Sequence, residues 1–254
     1  MDNEKSQPDI SLEYLKDKLV IRPEQLADKL ASFIAEKEKA LQRDGVIFGL
    51  SGGLDSAVVA ALCVRAVGPK KVTALLMPEK DSKKEHILDA QNLVRQFGIK
   101  SKRIDMTRYL KRIGLYAMFP LDALVPEKYR GKLVCRSYRY YEDKTGVPYF
   151  ERTLAGSDHG LTDAIVNRSH AYYRAKHRMR MLLLYFYGEQ KNRLVVGAAN
   201  KTEYQIGYFV KHGIDSATDV MPIMGLYKTQ VIQLAGYLGI PENIIDKPPS
   251  PDII

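Results

Sequence analysis

The sequence predicts an α/β protein in which a doubly wound parallel sheet is flanked by helices on both faces. Short apolar runs of the kind that form buried strands, such as Val46–Leu50 and Val72–Met77, alternate with longer stretches of helical spacing. A glycine-rich turn follows the first of these runs and leads directly into a helical stretch. Strands that alternate with helices in this way pair in parallel, because the helix provides the crossover connection between them.

The first unit begins with a helix. Pro23 suits a first helical turn, and apolar residues then follow helical spacing as far as Asp44-Gly45. This apolar stripe fits core packing or a subunit interface equally well, and consists of Leu26, Leu30, Phe33, Ile34 and Leu41. After the strand at 46–50, Ala57–Val67 is apolar nearly all round, which predicts a helix buried against the sheet. Gly68-Pro69 ends it.

The second unit repeats this outline. Val72–Met77 is predicted to form a buried strand. Ser82-Lys83-Lys84-Glu85 has the pattern of a capping box, so we expect a helix from there to Gly98. Ile99–Asp105 is predicted to form a third strand.

From residue 107 to about 168 the periodicity is weak, and proline and glycine interrupt it repeatedly. We therefore expect one domain over residues 1–254 with an irregular insertion at about 107–173. The segment 128–141 mixes arginine and lysine with tyrosine. That mixture suits base stacking with phosphate neutralisation, and it suits a protein interface equally well.

Regular patterns return after the insertion. They predict a long helix at about 169–187 ended by Gly188, a buried strand at 194–198, and a helix at 200–210. A last helix is predicted at 226–238, with Gly239 just past its end.

The composition favours a globular protein with anionic ligands. The 254 residues are 45% apolar, which suffices for a sizeable core, and the net charge is +9. A positive net charge favours anionic binding partners, which include nucleic acid, a lipid surface and phosphorylated small molecules. The chain has two cysteines, Cys63 and Cys135, which are too few and too far apart in sequence for a metal knuckle or a redox pair. Cys63 is expected to be buried. With no visible signal peptide and no run as long as a membrane span, we expect a cytoplasmic protein.

The strongest chemical signal is the segment Ser51-Gly52-Gly53-Leu54-Asp55-Ser56 between a strand and a helix. Glycines let the backbone approach a ligand closely, and the N–H groups at a helix start form an anion site. Asp55 fits such a site if it binds Mg²⁺, which neutralises the phosphate charge that the carboxylate would otherwise repel. The chain has neither a GxxxxGK[ST] loop nor a GxGxxG loop after a strand, which argues against Walker-type and dinucleotide-binding Rossmann sites.

The SGGLDS segment resembles the PP-loop of the ATP pyrophosphatases, which have an adenine nucleotide alpha hydrolase-like fold. Further stretches narrow the resemblance to the NAD synthetase family. They are Leu76–Ser82, Arg178-Met179-Arg180-Met181, Val195–Glu203, Asp219–Gln230 and Lys247–Asp252. Family members adenylate the nicotinate carboxylate of deamido-NAD with ATP, release pyrophosphate, and amidate the adenylate with ammonia to give NAD and AMP.

The resemblance implies roles for individual residues. Asp55 and Lys228 are implied to be catalytic, and Asp55 and Glu203 to bind Mg²⁺. The implied deamido-NAD residues are Arg178, Lys211 and Asp219. The implied ATP residues are Gly49, Leu50, Ser51, Gly52, Gly53, Leu54, Asp55, Ser56, Met77, Ala198, Lys228 and Ser250.

The sequence also departs from the family pattern. Arg174 replaces an asparagine, Lys176-His177 replaces Lys-Ala, and Ala198 replaces a threonine, while 107–173 contains no motif of the family. A ligase acting on a different carboxylate therefore stays an alternative, and a PP-loop tRNA-modifying enzyme a weaker one. The resemblance implies a homodimer. No glutaminase is visible, so we expect ammonia to arrive free or from a separate donor.

Overall fold

A computed structural model describes residues 19–118, 136, 139–140, 142–146, 161–214 and 216–248, with side chains from residue 166 onward in the helix that begins at 161. These residues form a parallel sheet of four strands in the order β3-β2-β1-β4. The strands are β1 (Val46–Gly49), β2 (Val72–Leu76), β3 (Lys100–Arg103) and β4 (Leu194–Val195). In register, Val46 pairs with Val72 on one side and Leu194 on the other.

Helices connect the strands and cover the sheet. They are α1 (Pro23–Ala40), α2 (Leu54–Val67), α3 (Lys84–Phe97), α4 (Thr107–Arg112), α5 (Leu161–Gln190), α6 (Lys201–Gln205), α7 (Lys228–Tyr237) and α8 (Glu242–Ile245). Short 3₁₀ turns occur at Pro69–Lys71 and Leu115–Ala117. None of the helices in the described ranges is long and apolar enough to cross a lipid bilayer.

Each face of the sheet has its own core, because successive strand side chains point to opposite faces. Val46 and Phe48 lie in a core with α1, α2 and α7, whereas Ile47 lies in a second core with α4 and α5. Helices thus cover both faces, and the predicted doubly wound α/β fold is confirmed. Ile34 of the predicted apolar stripe is fully buried in the first core, and Leu26, Leu30 and Phe33 pack against it.

Several predicted boundaries are wrong. No capping box forms at Ser82: α3 begins at Lys84, and the Ser82 hydroxyl instead accepts from the Glu79 N–H at 3.1 Å. The helix predicted at 200–210 ends at Gln205, since Gly207 takes a positive φ of 75° and turns the chain. The third strand is shorter than predicted at both ends, and its exposed residues form a charged edge of the sheet.

The region around the predicted insertion contains helices that the sequence pattern missed. Residues 107–112 form α4, and α5 begins at residue 161 rather than at 169. Gly188 lies inside α5 and does not end it. A Cβ atom there would meet the Val195 side chain at 2.9 Å, so glycine permits close packing of α5 on β4.

Candidate active site

The SGGLDS segment lies at the carboxyl end of β1, where ligands bind in open α/β sheets. Gly52 has a φ of +84°, and a Cβ atom there would come within 2.1 Å of the main-chain oxygen of His86 in α3. Glycine is therefore required both by the backbone conformation and by the contact with α3. The conformation of the loop is therefore fixed by its packing against α3 and does not depend on a bound ligand.

Side chains of the loop hold it together from within. The Ser56 hydroxyl donates to the Gly53 carbonyl at 3.0 Å, and the Ser51 hydroxyl accepts from the Gly53 N–H at 3.2 Å. The two hydroxyl oxygens lie 3.1 Å apart. Ser56 is buried and Ser51 exposed, so Ser51 is the hydroxyl that remains accessible to a ligand.

Asp55, in the first turn of α2, is the centre of a polar group built from three parts of the chain. Its Oδ1 accepts from Asn200 Nδ2 at 3.2 Å, and its Oδ2 contacts the ammonium of Lys228. The Asn200 side chain also caps α6, since its Oδ1 accepts from the Glu203 N–H at 3.0 Å and Glu203 Oε2 accepts from the Asn200 N–H at 3.1 Å. The structure thus brings together Asp55, Lys228 and Glu203.

Asn200 joins these residues and was missed as a site residue by sequence reasoning. It is almost completely buried, with 1% of its surface exposed. An asparagine three residues before a glutamate is the pattern of a capping box, so its local role was readable from the sequence. Its bond to Asp55, 145 residues away, was not.

Lys228 is the first residue of α7, which therefore begins two residues later than the predicted start at 226. Its main-chain N–H donates to the Thr202 hydroxyl at 3.0 Å, which fixes the start of α7 against α6. An N-terminal lysine is unfavourable for the helix dipole by itself. The carboxylate of Asp55 compensates this charge.

Met77 and Ala198 lie on either side of the loop. Met77 is buried just after β2, and its terminal methyl would lie 3.3 Å from a Cβ atom on Gly49. Ala198 is half-buried and follows β4. Both predicted ATP residues therefore sit at the same edge of the sheet as the SGGLDS segment, whereas Ser250 lies outside the described residues.

The donor set fits a magnesium ion. Asp55 and Glu203 carry carboxylate oxygens, the ligands that Mg²⁺ prefers. The Lys228 ammonium contacts Asp55 Oδ2, so a bound ion would share this carboxylate with Lys228. In the described part of the chain, no three His, Cys, Asp or Glu side chains group into a metal site. Two carboxylates suit an ion that takes its other ligands from phosphate oxygens and water.

The three residues implied for deamido-NAD are only partly brought together. Arg178 Nε donates to the Lys211 carbonyl at 3.3 Å, and both residues are exposed. Asp219 contacts α5 at Tyr185, about two helical turns beyond Arg178. Its oxygens accept from the Tyr185 hydroxyl and from the Val195 N–H, both at 2.9 Å, so its carboxylate also secures β4.

Sequence reasoning also missed a buried charged group that lies just after β2. Lys176 of α5 contacts Glu79 and Asp81, which follow β2. Tyr116 and Tyr172 donate their hydroxyls to the same carboxylates at 2.7 and 2.6 Å. Burial, and then these hydrogen bonds, raise the pKa of both tyrosines well above the ordinary value. The partners of Lys176 lie more than 90 residues away in the chain, so no local pattern revealed them.

The remaining predictions concern cysteine and the basic segment. Cys63 is fully buried, as predicted, and burial raises the pKa of its thiol. Cys135 and most of the segment 128–141 lie outside the described residues. Within that segment Tyr140 is exposed, and the Lys144 ammonium lies 5.9 Å from the centre of its ring.

Comparison with known proteins agrees with this geometry. A family model described as NAD synthase matches residues 26–117 and 142–254, including parts of 107–173 in which no family motif was recognised. NH(3)-dependent NAD(+) synthetase from Thermotoga maritima is 41% identical over 229 residues, which are 90% of this chain and 78% of that protein.

Two solved structures are also similar. NH3-dependent NAD synthetase from Campylobacter jejuni has a TM-score of 0.62 and 32% identity, over 90% of this chain and 78% of that one. NMN synthetase from Francisella tularensis has a TM-score of 0.66 and 28% identity, over 92% of this chain and 78% of that one. From the family match and the shared fold, we conclude that the chain belongs to the NAD synthase family.

Proposed function

We propose that this protein is an ammonia-dependent NAD synthetase, an ATP-dependent, AMP-forming carbon–nitrogen ligase. The observation that carries the proposal is the 41% identity to the Thermotoga maritima protein of that name over nine-tenths of the chain. The arrangement of Asp55, Asn200, Glu203 and Lys228 beside a glycine-rich loop supports it independently.

ATP is proposed to bind along the loop at 49–56, with its phosphates at the N-terminus of α2. The N–H groups of a helix start favour negative charge, and Lys228 adds an ammonium from the start of α7. Met77 and Ala198 would lie beside the nucleotide, and Ser250 is proposed as a further donor. Magnesium, held by Asp55 and Glu203, would neutralise phosphate charge when bound.

The reaction proceeds through two nucleophilic displacement steps. An oxygen of the nicotinate carboxylate attacks the α-phosphorus of ATP, and the bond to pyrophosphate breaks. Ammonia then attacks the carbonyl carbon of the adenylate, the carbon–oxygen bond to AMP breaks, and the nitrogen loses a proton to solvent. The main contributions of the protein are positioning and stabilisation of the negative charge that moves onto pyrophosphate, which is the role proposed for Lys228.

The acceptor is proposed to bind near Arg178 and Lys211, with Asp219 against Tyr185, about two helical turns further along α5. The exposed cations of Arg178 and Lys211 suit the phosphates of deamido-NAD. We propose further that the protein acts as a cytoplasmic homodimer and receives ammonia free or from a separate donor. A role in tRNA modification stays the weakest of the alternatives.

A second candidate is the amidation of a mononucleotide. The Francisella tularensis structure is that of an NMN synthetase, and its similarity to this chain extends over 92% of the residues. On this alternative the acceptor carries the same nicotinate carboxylate but lacks the adenylate half of deamido-NAD.

One assay distinguishes the two candidates. Purified protein is incubated with ATP, Mg²⁺ and ammonium, together with deamido-NAD, with nicotinate mononucleotide, or with no acceptor, and AMP and the amidated product are followed. Equal amounts of AMP and NAD with deamido-NAD support the first proposal. Faster conversion of the mononucleotide would favour the second, and AMP without either amide would contradict both.

A further inference from the structure

A buried group of charged and phenolic side chains connects three separate parts of the chain. We call it the Lys176 cluster, and it consists of Glu79, Asp81, Tyr116, Tyr172 and Lys176. The Lys176 ammonium lies 3.0 Å from Glu79 Oε1 and 2.6 Å from Asp81 Oδ2. The side chains of Lys176 and Glu79 are 1% and 0% exposed. The ammonium also lies 4.3 Å from the ring centre of Tyr172.

These contacts satisfy the buried charges of Lys176 and Glu79, whereas the Asp81 side chain is 19% exposed. A buried ion pair gains little over apolar packing, but loss of one partner leaves an uncompensated charge and is strongly destabilising. Two tyrosine hydroxyls donate to the carboxylates at 2.6 and 2.7 Å and add to the fixed geometry. The cluster is therefore a rigid junction between the end of β2, the turn at 115–117 and α5.

The position of this junction links it to the proposed reaction. Glu79 and Asp81 follow Met77 and β2, at the edge of the sheet that carries the SGGLDS segment. Lys176 lies two residues before Arg178 on α5. The two tyrosines flank residues 119–160 of the chain, the greater part of the predicted insertion.

We propose that Lys176 is a positioning residue that sets the placement of Arg178 and the acceptor relative to ATP. This inference assumes the function proposed above and assigns a role beyond it. Attack on the α-phosphorus requires the two substrates to be aligned closely, and a misplacement of about 1 Å can cost roughly a hundredfold in rate. A junction between the β2 end and α5 controls that alignment without contacting either substrate.

The test uses Lys176→Met and the milder Asp81→Asn, which leaves the contact with Glu79 in place. Lys71→Met is the matched control, because Lys71 pairs with Glu38 at 3.0 Å at the opposite end of β2. We measure thermal stability, the Kd of ATP, kcat, and the KM of deamido-NAD. We also measure backbone hydrogen exchange over 78–82 and 172–180.

We expect Lys176→Met to lower kcat/KM for deamido-NAD roughly ten- to a hundredfold, with the Kd of ATP changed less than threefold. Asp81→Asn should show a smaller loss of the same kind, and Lys71→Met none. Exchange should rise over 172–180 but not within α2. If Lys176→Met fails to fold, Asp81→Asn carries the same test.

Two results would overturn the inference. One is an equal loss in ATP binding and acceptor use, which indicates a general structural effect. The other is unchanged kinetics and unchanged exchange at 172–180. Failure of the proposed function would appear differently, as wild-type protein that makes no NAD. In that case exchange and acceptor binding still decide whether the junction holds α5.

Discussion

The ammonium of Lys228 contacts the carboxylate of Asp55, although 173 residues separate them in the chain. Both side chains are mostly buried, with 30% and 19% of their surfaces exposed. The contact places a cation at the oxygen that we propose as a magnesium ligand. It also joins the starts of two helices, α2 and α7, at the edge of the sheet where the glycine-rich loop lies.

Replacing Lys228 by methionine should damage catalysis far more than folding. Loss of one group that stabilises developing charge costs about 10²- to 10³-fold in kcat, and we expect a fall in this range. Steady-state kinetics with saturating ATP measure it. Lys201→Met is the control, since the Lys201 ammonium lies over the Tyr227 ring at 4.3 Å. An equal fall in kcat for Lys201→Met would mean that the loss comes from removing any positive charge in this region and not from the specific role of Lys228.

The same variant should bind divalent cations more tightly in the absence of nucleotide. Removal of the ammonium frees Asp55 Oδ2 and removes a repelling charge beside the site. Titration of the protein with Mn²⁺, followed by electron paramagnetic resonance, measures the affinity directly. Asp55→Asn in the same background should abolish the gain. If Lys228→Met binds Mn²⁺ no better than wild type, the placement of the metal at Asp55 is wrong.

Gly52→Ala should destabilise the protein more than Gly98→Ala. Both Gly52 and Gly98 have positive φ, which costs a residue with a Cβ atom about 1–2 kcal/mol. Of these two glycines, only Gly52 faces a backbone oxygen, at 2.1 Å from the added Cβ, whereas the Cβ at Gly98 meets nothing within 4 Å. Denaturant unfolding of both variants gives the difference. Equal losses would show that α3 moves away from the loop at little cost.

Asn200 can be tested in two steps, because it caps α6 and also contacts Asp55. Asn200→Ala should lose both functions, with about 1 kcal/mol lost from the cap alone. Asn200→Ser retains a hydroxyl that can cap the helix but cannot donate to Asp55 as the amide does. We therefore expect serine to recover most of the free energy of unfolding but not the activity. Full activity in the serine variant would show that the contact with Asp55 is not needed.

The Cys63 thiol should resist modification in the folded protein. Burial raises the pKa of this thiol, so little reactive thiolate exists near pH 8, and reagents cannot reach it. The experiment uses a Cys135→Ser variant, in which Cys63 is the remaining cysteine. Reaction with a disulfide reagent should be negligible in buffer and should reach one thiol per chain in guanidinium. Rapid reaction in buffer would contradict the buried position.

Local signals predicted much of the fold. Apolar runs located β1 and β2, and the all-round apolar helix after the loop located α2 and its buried Cys63. Boundaries were less accurate where tertiary contacts outweigh local preference. The sequence pattern predicts that Gly188 ends a helix, yet α5 continues through this residue. Because glycine has no side chain, α5 can pack closely against the Val195 side chain. The sequence pattern predicts that Ser82 caps a helix N-terminus, yet its hydroxyl accepts a hydrogen bond from the Glu79 N–H.

By itself, the sequence determined the α/β class, the glycine-rich anion loop and the resemblance to the NAD synthetase family, because these depend on residue type and on spacing along the chain. Only the tertiary structure decided that Lys228 and Asn200 meet Asp55 and that Lys176 meets Glu79 and Asp81. Such contacts join residues that lie 95 to 173 positions apart. No local spacing encodes them, since they arise when strands and helices far apart in the chain pack at one edge of the sheet.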